Sequence, residues 1–203
     1  MGQITLYADV LMCIMWMFTY VLILISTYKT RIPALPIISC VIVFPWEIVA
    51  AIKGMSHITN YAAFGQLGLF VLDISIFFYI LFGLKCYSKK KMALCILMYA
   101  VIAVGLLFVF QFSKGQLYTC YIHTLIGMVF WLHYATKPGY PLTKLNFAIA
   151  VSKLIADVLA FVAYHNYDTW IFVFGVLLPV IDLIHILVLI QKSKPQKQGT
   201  LSS

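Results

Sequence analysis

The chain has 203 residues, of which 64% are hydrophobic and only 10% are charged. This composition and the mean hydropathy of +1.01 exclude an ordinary soluble globular domain and predict helices that cross a lipid bilayer. The formal net charge of +8 would suggest nucleic acid as a partner of a soluble protein, but membrane topology explains it better here, so we expect no nucleic-acid binding.

Seven apolar segments follow one another along the chain, each long enough for a transmembrane helix. We expect helices at about 4–28, from Pro33 and Pro36 to 53, and at about 64–84, 92–112, 118–136, 144–164 and 169–191. The first segment has no basic region before it and no cleavage site after it, so we interpret it as a retained span. The sequence therefore predicts an all-α, polytopic membrane domain over residues 1–191, followed by a disordered polar tail over residues 192–203.

Basic residues alternate between the two sides of this arrangement. Eleven of the 14 Lys and Arg residues lie in the 1–2, 3–4 and 5–6 connections and the C-terminal tail, whereas the other connections hold two. The remaining one, Lys153, lies within helix 6. By the positive-inside rule we expect the N-terminus outside or in the lumen and the C-terminus in the cytosol. The membrane would be the endoplasmic reticulum in a eukaryote and the cytoplasmic membrane in a bacterium.

Most of the acidic residues are hidden in the apolar segments. Glu47, Asp73, Asp157 and Asp182 lie inside such segments, and Asp9 lies near the start of another. A charged side chain at bilayer depth costs a few kcal/mol, so an intramembrane acid is a functional candidate by default. We expect the four acids inside these segments, without Asp9, to line one elongated chamber within the helix bundle, suited to a long lipophilic substrate.

Two of the acids lie close to a proline in the middle of a helix. Glu47 follows Pro45 by two residues, and Asp182 follows Pro179 by three. We expect both prolines to break or loosen their helices, because proline removes a backbone donor. The other residues predicted to line the substrate pocket are Trp46, Asp73, Phe77, Asp157 and His185.

Helix 6 carries a polar stripe at helical spacing, formed by Asn146, Lys153, Asp157 and Tyr164. Lys153 and Asp157 are separated by four residues and can pair, which reduces the cost of burying each charge. We favour a structural role for this pair. The histidines and the five cysteines lack the spacing of metal ligands, so we predict no metal site, no cofactor and no disulfide framework.

The run WEIV at positions 46–49 and the run PVID at positions 179–182 resemble the small integral-membrane terpene cyclases of fungal meroterpenoid and indole-diterpene pathways. The resemblance implies seven helices and two catalytic acids, Glu47 and Asp182. It also implies that a carboxylic acid protonates the terminal epoxide or alkene of a prenylated lipophilic substrate, after which a cation cyclises. Aromatic rings can stabilise such a cation through their π faces. Such enzymes ionise no diphosphate, which agrees with the absence of DDxxD and DxDD motifs from this sequence.

Other classes of function fit part of the pattern. A small proton-coupled carrier would also use buried carboxyl groups, together with Lys and His, but needs access from both faces of the membrane. A retinal-type photoreceptor fails because helix 7 has no lysine for a Schiff base. A scaffold without catalytic activity would tolerate substitution of Glu47. We predict no particular oligomeric state.

Overall fold

The computed structural model describes residues 3–53, 60–112 and 115–194. This part of the chain is all-α, and the predicted succession of seven helices is confirmed. A single π-helical turn, Tyr79–Gly83, continues the third helix. The helices are α1 Gln3–Thr30, α2 Ile37–Lys53, α3 Asn60–Phe78, α4 Lys89–Val109, α5 Gly115–Thr136, α6 Lys144–Tyr164 and α7 Thr169–Ser193. Most of the tail predicted to be disordered lies outside the described residues.

Side-chain caps define the starts of three helices. Ser88 accepts a hydrogen bond from the backbone N–H of Lys91, which begins α4 three residues earlier than predicted. Thr143 caps α6, and Asp168 caps α7 by accepting from the N–H groups of Trp170 and Ile171. Such oxygens satisfy backbone donors that the first turn of a helix leaves without a partner.

The expectation that Pro45 and Pro179 break their helices is wrong. Both α2 and α7 continue as α-helix on either side of the proline. A proline removes one backbone hydrogen bond, whereas a full break would free several more polar groups in an apolar region, at a cost of several kcal/mol each. Neighbouring helices pack along both segments, so the continuous helix is the cheaper arrangement.

Four helices are long and apolar enough to cross a membrane, namely α1, α4, α6 and α7. Shorter apolar helical stretches cover residues 37–52 and 67–83. By length and composition these helices indicate a membrane protein.

Six of the helices pack side by side in a closed ring, in the order α1, α3, α2, α5, α7 and α6. The remaining helix, α4, packs against the outside of the ring, mainly on α2. Most side chains of α4 are exposed, as expected for a helix whose surface meets lipid. The ring therefore has an interior to which six different helices can contribute side chains.

The helices α2 and α5 approach each other closely at Gly127. The Ser39 hydroxyl donates a hydrogen bond of 2.8 Å to the carbonyl of Gly127. A Cβ atom at position 127 would lie 2.4 Å from the Cγ2 atom of Val43. Glycine is therefore required for this distance between the helices, as is common where small residues let membrane helices pack.

Candidate active site

A cavity of about 70 Å³ lies inside the ring. Each of the six ring helices contributes at least one lining residue, and α4 contributes none of those described. A water molecule takes roughly 30 Å³ of liquid volume, so the cavity has room for about two waters.

Aromatic side chains form much of the cavity wall. The five rings are those of Trp16, Tyr20, Trp46, Tyr121 and Tyr164. The indole of Trp46 donates to the carbonyl of Gln116 at 3.1 Å, and Trp16 and Tyr20 pack with their ring centroids 5.5 Å apart. Packing and hydrogen bonding thus hold the rings in place around a small space. Such a wall suits an apolar guest and can stabilise a cation.

Glu47 brings a carboxyl group to this aromatic cavity. It is 9% exposed, and its Oε2 atom has no hydrogen-bond partner among the described residues. On the neighbouring helix α3, Asp73 is fully buried; its carboxyl oxygens make no hydrogen bond of normal geometry within the described ranges, and the Tyr20 hydroxyl is their polar neighbour. The two acids are electrostatic neighbours. Two buried carboxyl groups without a cation partner among the described residues are costly to keep in an apolar interior.

Two further buried acids, Asp157 and Asp182, are bound by Lys153. Its ammonium group lies 2.8 Å from Asp157 Oδ2 and 2.8 Å from Asp182 Oδ1, and the lysine is 1% exposed. It also lies 5.2 Å from the centroid of the Trp16 ring. The predicted pair of Lys153 and Asp157 is confirmed, whereas the bond to Asp182 was not foreseen. Lys153 therefore ties α6 to α7 and neutralises part of the charge of both acids.

The structure separates the residues that the sequence predicted for one pocket. Glu47, Trp46 and Asp157 line the cavity. The residues Asp73, Phe77, Asp182 and His185 do not appear among its lining residues. Phe77 packs on Tyr99 of α4 with the ring centroids 4.9 Å apart, and His185 packs on Trp131 with the ring centroids 5.4 Å apart. The described residues therefore form a central cavity, one acid pair of Glu47 and Asp73, and a second acid pair of Asp157 and Asp182 at Lys153.

The polar stripe on α6 meets polar partners on α1 along its length. Asn146 accepts from the Ser26 hydroxyl at 2.9 Å, and Ser152 and Thr19 are hydrogen bonded at 2.9 Å. Near the other end of α6, the Tyr164 hydroxyl donates to Asp9 at 2.6 Å. Sequence reasoning identified the stripe but missed Asp9 as a site residue. The sequence offered one signal for Asp9, namely an acidic residue within a mainly apolar segment.

Comparison of the chain with protein-family models, with curated proteins and with solved structures finds no match. The functional assignment is therefore argued from the cavity and from the polar groups around it.

Proposed function

We propose that the protein is a membrane-bound terpene cyclase in which Glu47 protonates the terminal epoxide or alkene of a prenylated lipophilic substrate. The observation that carries this proposal is a cavity in which a carboxyl group, without a cation partner among the described residues, faces a space bordered by five aromatic side chains. The carboxylic acid supplies the proton, and the rings stabilise the cation that results. The reaction uses no metal ion and no cofactor.

The surroundings of the two candidate acids favour Glu47 as the proton donor. Asp182 Oδ1 is bound to the Lys153 ammonium at 2.8 Å and Asp182 does not line the cavity, whereas Glu47 does. Glu47 takes part in no ion pair within the described part of the chain. In this proposal Glu47 is the acid, and Asp182 holds Lys153 and Asp157 in position.

The size of the cavity sets which part of the substrate reacts there. A space of about 70 Å³ is too small for a whole polycyclic product, so only the reacting end of a prenyl chain would lie in it. We infer that the reacting end enters between the aromatic rings. The rest of a longer prenyl chain then extends beyond the cavity or displaces its walls.

The proposal includes the full topology expected from the sequence. All seven helices would span the bilayer, with the N-terminus outside or in the lumen and the C-terminus in the cytosol, because the basic residues concentrate at one end of the helices. In a eukaryote the membrane would be that of the endoplasmic reticulum. The substrate would reach the site from the bilayer in which it dissolves.

The proposal can be tested with membranes that contain the expressed protein, incubated with an epoxidised prenylated aromatic compound and analysed for cyclised product by mass spectrometry. Glu47→Gln keeps the size of the side chain but delivers no proton, so we expect cyclisation to fall by about 10²–10⁴-fold. Asp73→Asn is the matched control, a neighbouring buried acid outside the cavity lining, and should lose less activity. Expression level and thermal unfolding of each variant in detergent establish that it folds.

Two results would overturn the proposal. One is the absence of cyclised product from wild-type membranes across epoxide and alkene substrates of different prenyl length. The other is a Glu47→Gln variant that cyclises substrate at nearly the wild-type rate.

A proton-coupled carrier is the second candidate, and the α6 stripe favours it. From Asn146 to Tyr164 the stripe covers about 27 Å at 1.5 Å per residue, close to the thickness of the hydrocarbon core. A carrier would acidify the lumen of proteoliposomes when its substrate is supplied, and Asp157→Asn would stop that flux. The cyclase predicts product formation without proton flux in the same vesicles.

A further inference from the structure

A tyrosine–acid pair that has no role in the proposed protonation also reaches the cavity. Tyr164, in the last turn of α6, lines the cavity and donates its hydroxyl proton to Asp9 Oδ1 at 2.6 Å. Asp9 is 1% exposed, and its other oxygen, Oδ2, has no hydrogen-bond partner among the described residues. A hydrogen-bonded path therefore leads from the cavity surface through one hydroxyl group to a buried carboxyl group on α1.

Three other polar groups that line the cavity are less well placed to accept the final proton. Glu47 gives its proton to the end of the substrate where the reaction starts, and cyclisation moves the cation away from that end. Asp157 Oδ2 is already occupied by the Lys153 ammonium at 2.8 Å. The Tyr121 hydroxyl donates to the backbone carbonyl of Ala160 at 3.2 Å, and a carbonyl oxygen cannot keep the proton. Asp9, behind Tyr164, is hydrogen bonded to a hydroxyl group that itself lines the cavity.

We propose that Tyr164 and Asp9 form the base that ends the cyclisation. This inference rests on the proposed cyclase function. A C–H bond next to the carbocation breaks, and its electron pair forms the new carbon–carbon double bond. The released proton binds the oxygen of Tyr164 while the tyrosine's own hydroxyl proton moves to Asp9 Oδ1. Tyr164 is neutral before and after the step, and Asp9 changes from carboxylate to carboxylic acid.

The proton balance of the whole cycle closes with this assignment. Glu47 gives one proton to the substrate at the start, and Asp9 holds one proton at the end. The enzyme is reset when Asp9 releases its proton to water and Glu47 takes one up. Tyr164 is the catalytic residue of this step because it touches the cavity, whereas Asp9 positions the hydroxyl and stores the proton.

The test compares Tyr164→Phe and Asp9→Asn with wild type in membranes supplied with the epoxidised prenylated aromatic compound, measuring both substrate consumption and the distribution of products. Initiation by Glu47 is retained, so substrate is still consumed. We expect the share of the wild-type alkene product to fall by about tenfold or more. Alcohols formed by water capture and alkenes from other deprotonation sites should replace it.

The matched control is Tyr118→Phe. The Tyr118 hydroxyl also donates to an aspartate, Asp168, near the same end of α6, but Tyr118 does not line the cavity. The Tyr118→Phe variant should keep the wild-type product distribution. A general loosening of this end of the bundle would alter that distribution. Asp9→Glu restores a carboxyl group and should recover part of the wild-type alkene.

The outcomes separate the two proposals. Wild-type membranes that form no cyclised product overturn the cyclase assignment itself. Wild-type membranes that cyclise, with Asp9→Asn giving the wild-type product distribution, overturn only the assignment of the base. If Tyr164→Phe fails to insert, Asp9→Asn alone decides, because it keeps the size of the side chain it replaces.

Discussion

Lys153 determines how the buried charges of this protein are arranged. A fully buried lysine is tolerated only when its ammonium group is paired and hydrogen bonded. Here two carboxyl groups, one from its own helix and one from α7, each lie 2.8 Å away. The site therefore holds one cation and two acids, and the loss of the lysine leaves both acids without their cation.

We expect Lys153→Met to destabilise the protein by about 3–5 kcal/mol, because both Asp157 and Asp182 lose their cation. The double variant Lys153→Met with Asp157→Leu should remain unstable, since Asp182 is still unpaired. The triple variant Lys153→Met, Asp157→Asn and Asp182→Asn should recover much of the yield. Thermal unfolding in detergent and the level of inserted protein measure these effects.

A stable Lys153→Met variant would contradict the idea that the lysine holds the acids in place. Recovery already in the double variant would show that Asp182 does not depend on Lys153. Activity measurements on the stable triple variant then separate structural from chemical roles of the two aspartates.

Partners within one helix could be predicted from the sequence, and partners across helices could not. The bond between Lys153 and Asp157 follows from a separation of four residues. The bonds from Lys153 to Asp182 and from Tyr164 to Asp9 join residues 29 and 155 positions apart. No spacing rule connects such positions, so the sequence showed that the acids are buried without showing which group each one meets.

The helices themselves were predicted well except at their prolines. Length and apolar composition identify each element, and side-chain oxygens such as that of Thr143 mark where helices begin. The expected breaks at Pro45 and Pro179 are not observed, because packing between helices outweighs the local effect of proline. In an apolar environment each freed backbone group is expensive, and neighbouring helices favour a continuous element.

Close helix packing gives a prediction at the same scale. Gly127→Ala would place a Cβ atom 2.4 Å from Val43 Cγ2, and a β-branched valine has few alternative rotamers. We expect a loss of about 1–3 kcal/mol in stability from overpacking, measured by thermal unfolding in detergent. Because Val43 also lines the cavity, substrate consumption should fall as well.

Gly105→Ala in α4 is the matched control, since nothing lies within 4 Å of its added Cβ atom. It should be neutral or stabilising by up to about 1 kcal/mol, because alanine favours the helix. Equal stability of the two alanine variants would show that α2 and α5 do not need the glycine contact.

The arrangement of the whole molecule was the least predictable level. Helices that are apolar on every side carry little information about which face meets a neighbour. The ring of six helices, with α4 outside it, could therefore not be read from hydrophobic periodicity. Only the polar stripe on α6 marked a face that needs polar partners, and the sequence did not show that these partners lie on α1 and α7.

The orientation of this ring in the bilayer gives the last prediction. Eleven basic residues lie in the 1–2, 3–4 and 5–6 connections and the tail, against two in the other connections, so the first group should face the cytosol. A reporter fused after Ser203 should be active only in the cytosol, and one inserted in the connection at 165–168 only outside. A reporter in the connection at 84–88 is the control for the cytosolic side.

A C-terminal reporter found outside, or an even number of crossings, would contradict the topology. With the expected result, the end of α6 that carries Tyr164, bonded to Asp9 near the start of α1, lies toward the outer face. The proton stored on Asp9 then has its shortest route to water on that side, away from the basic cytosolic connections.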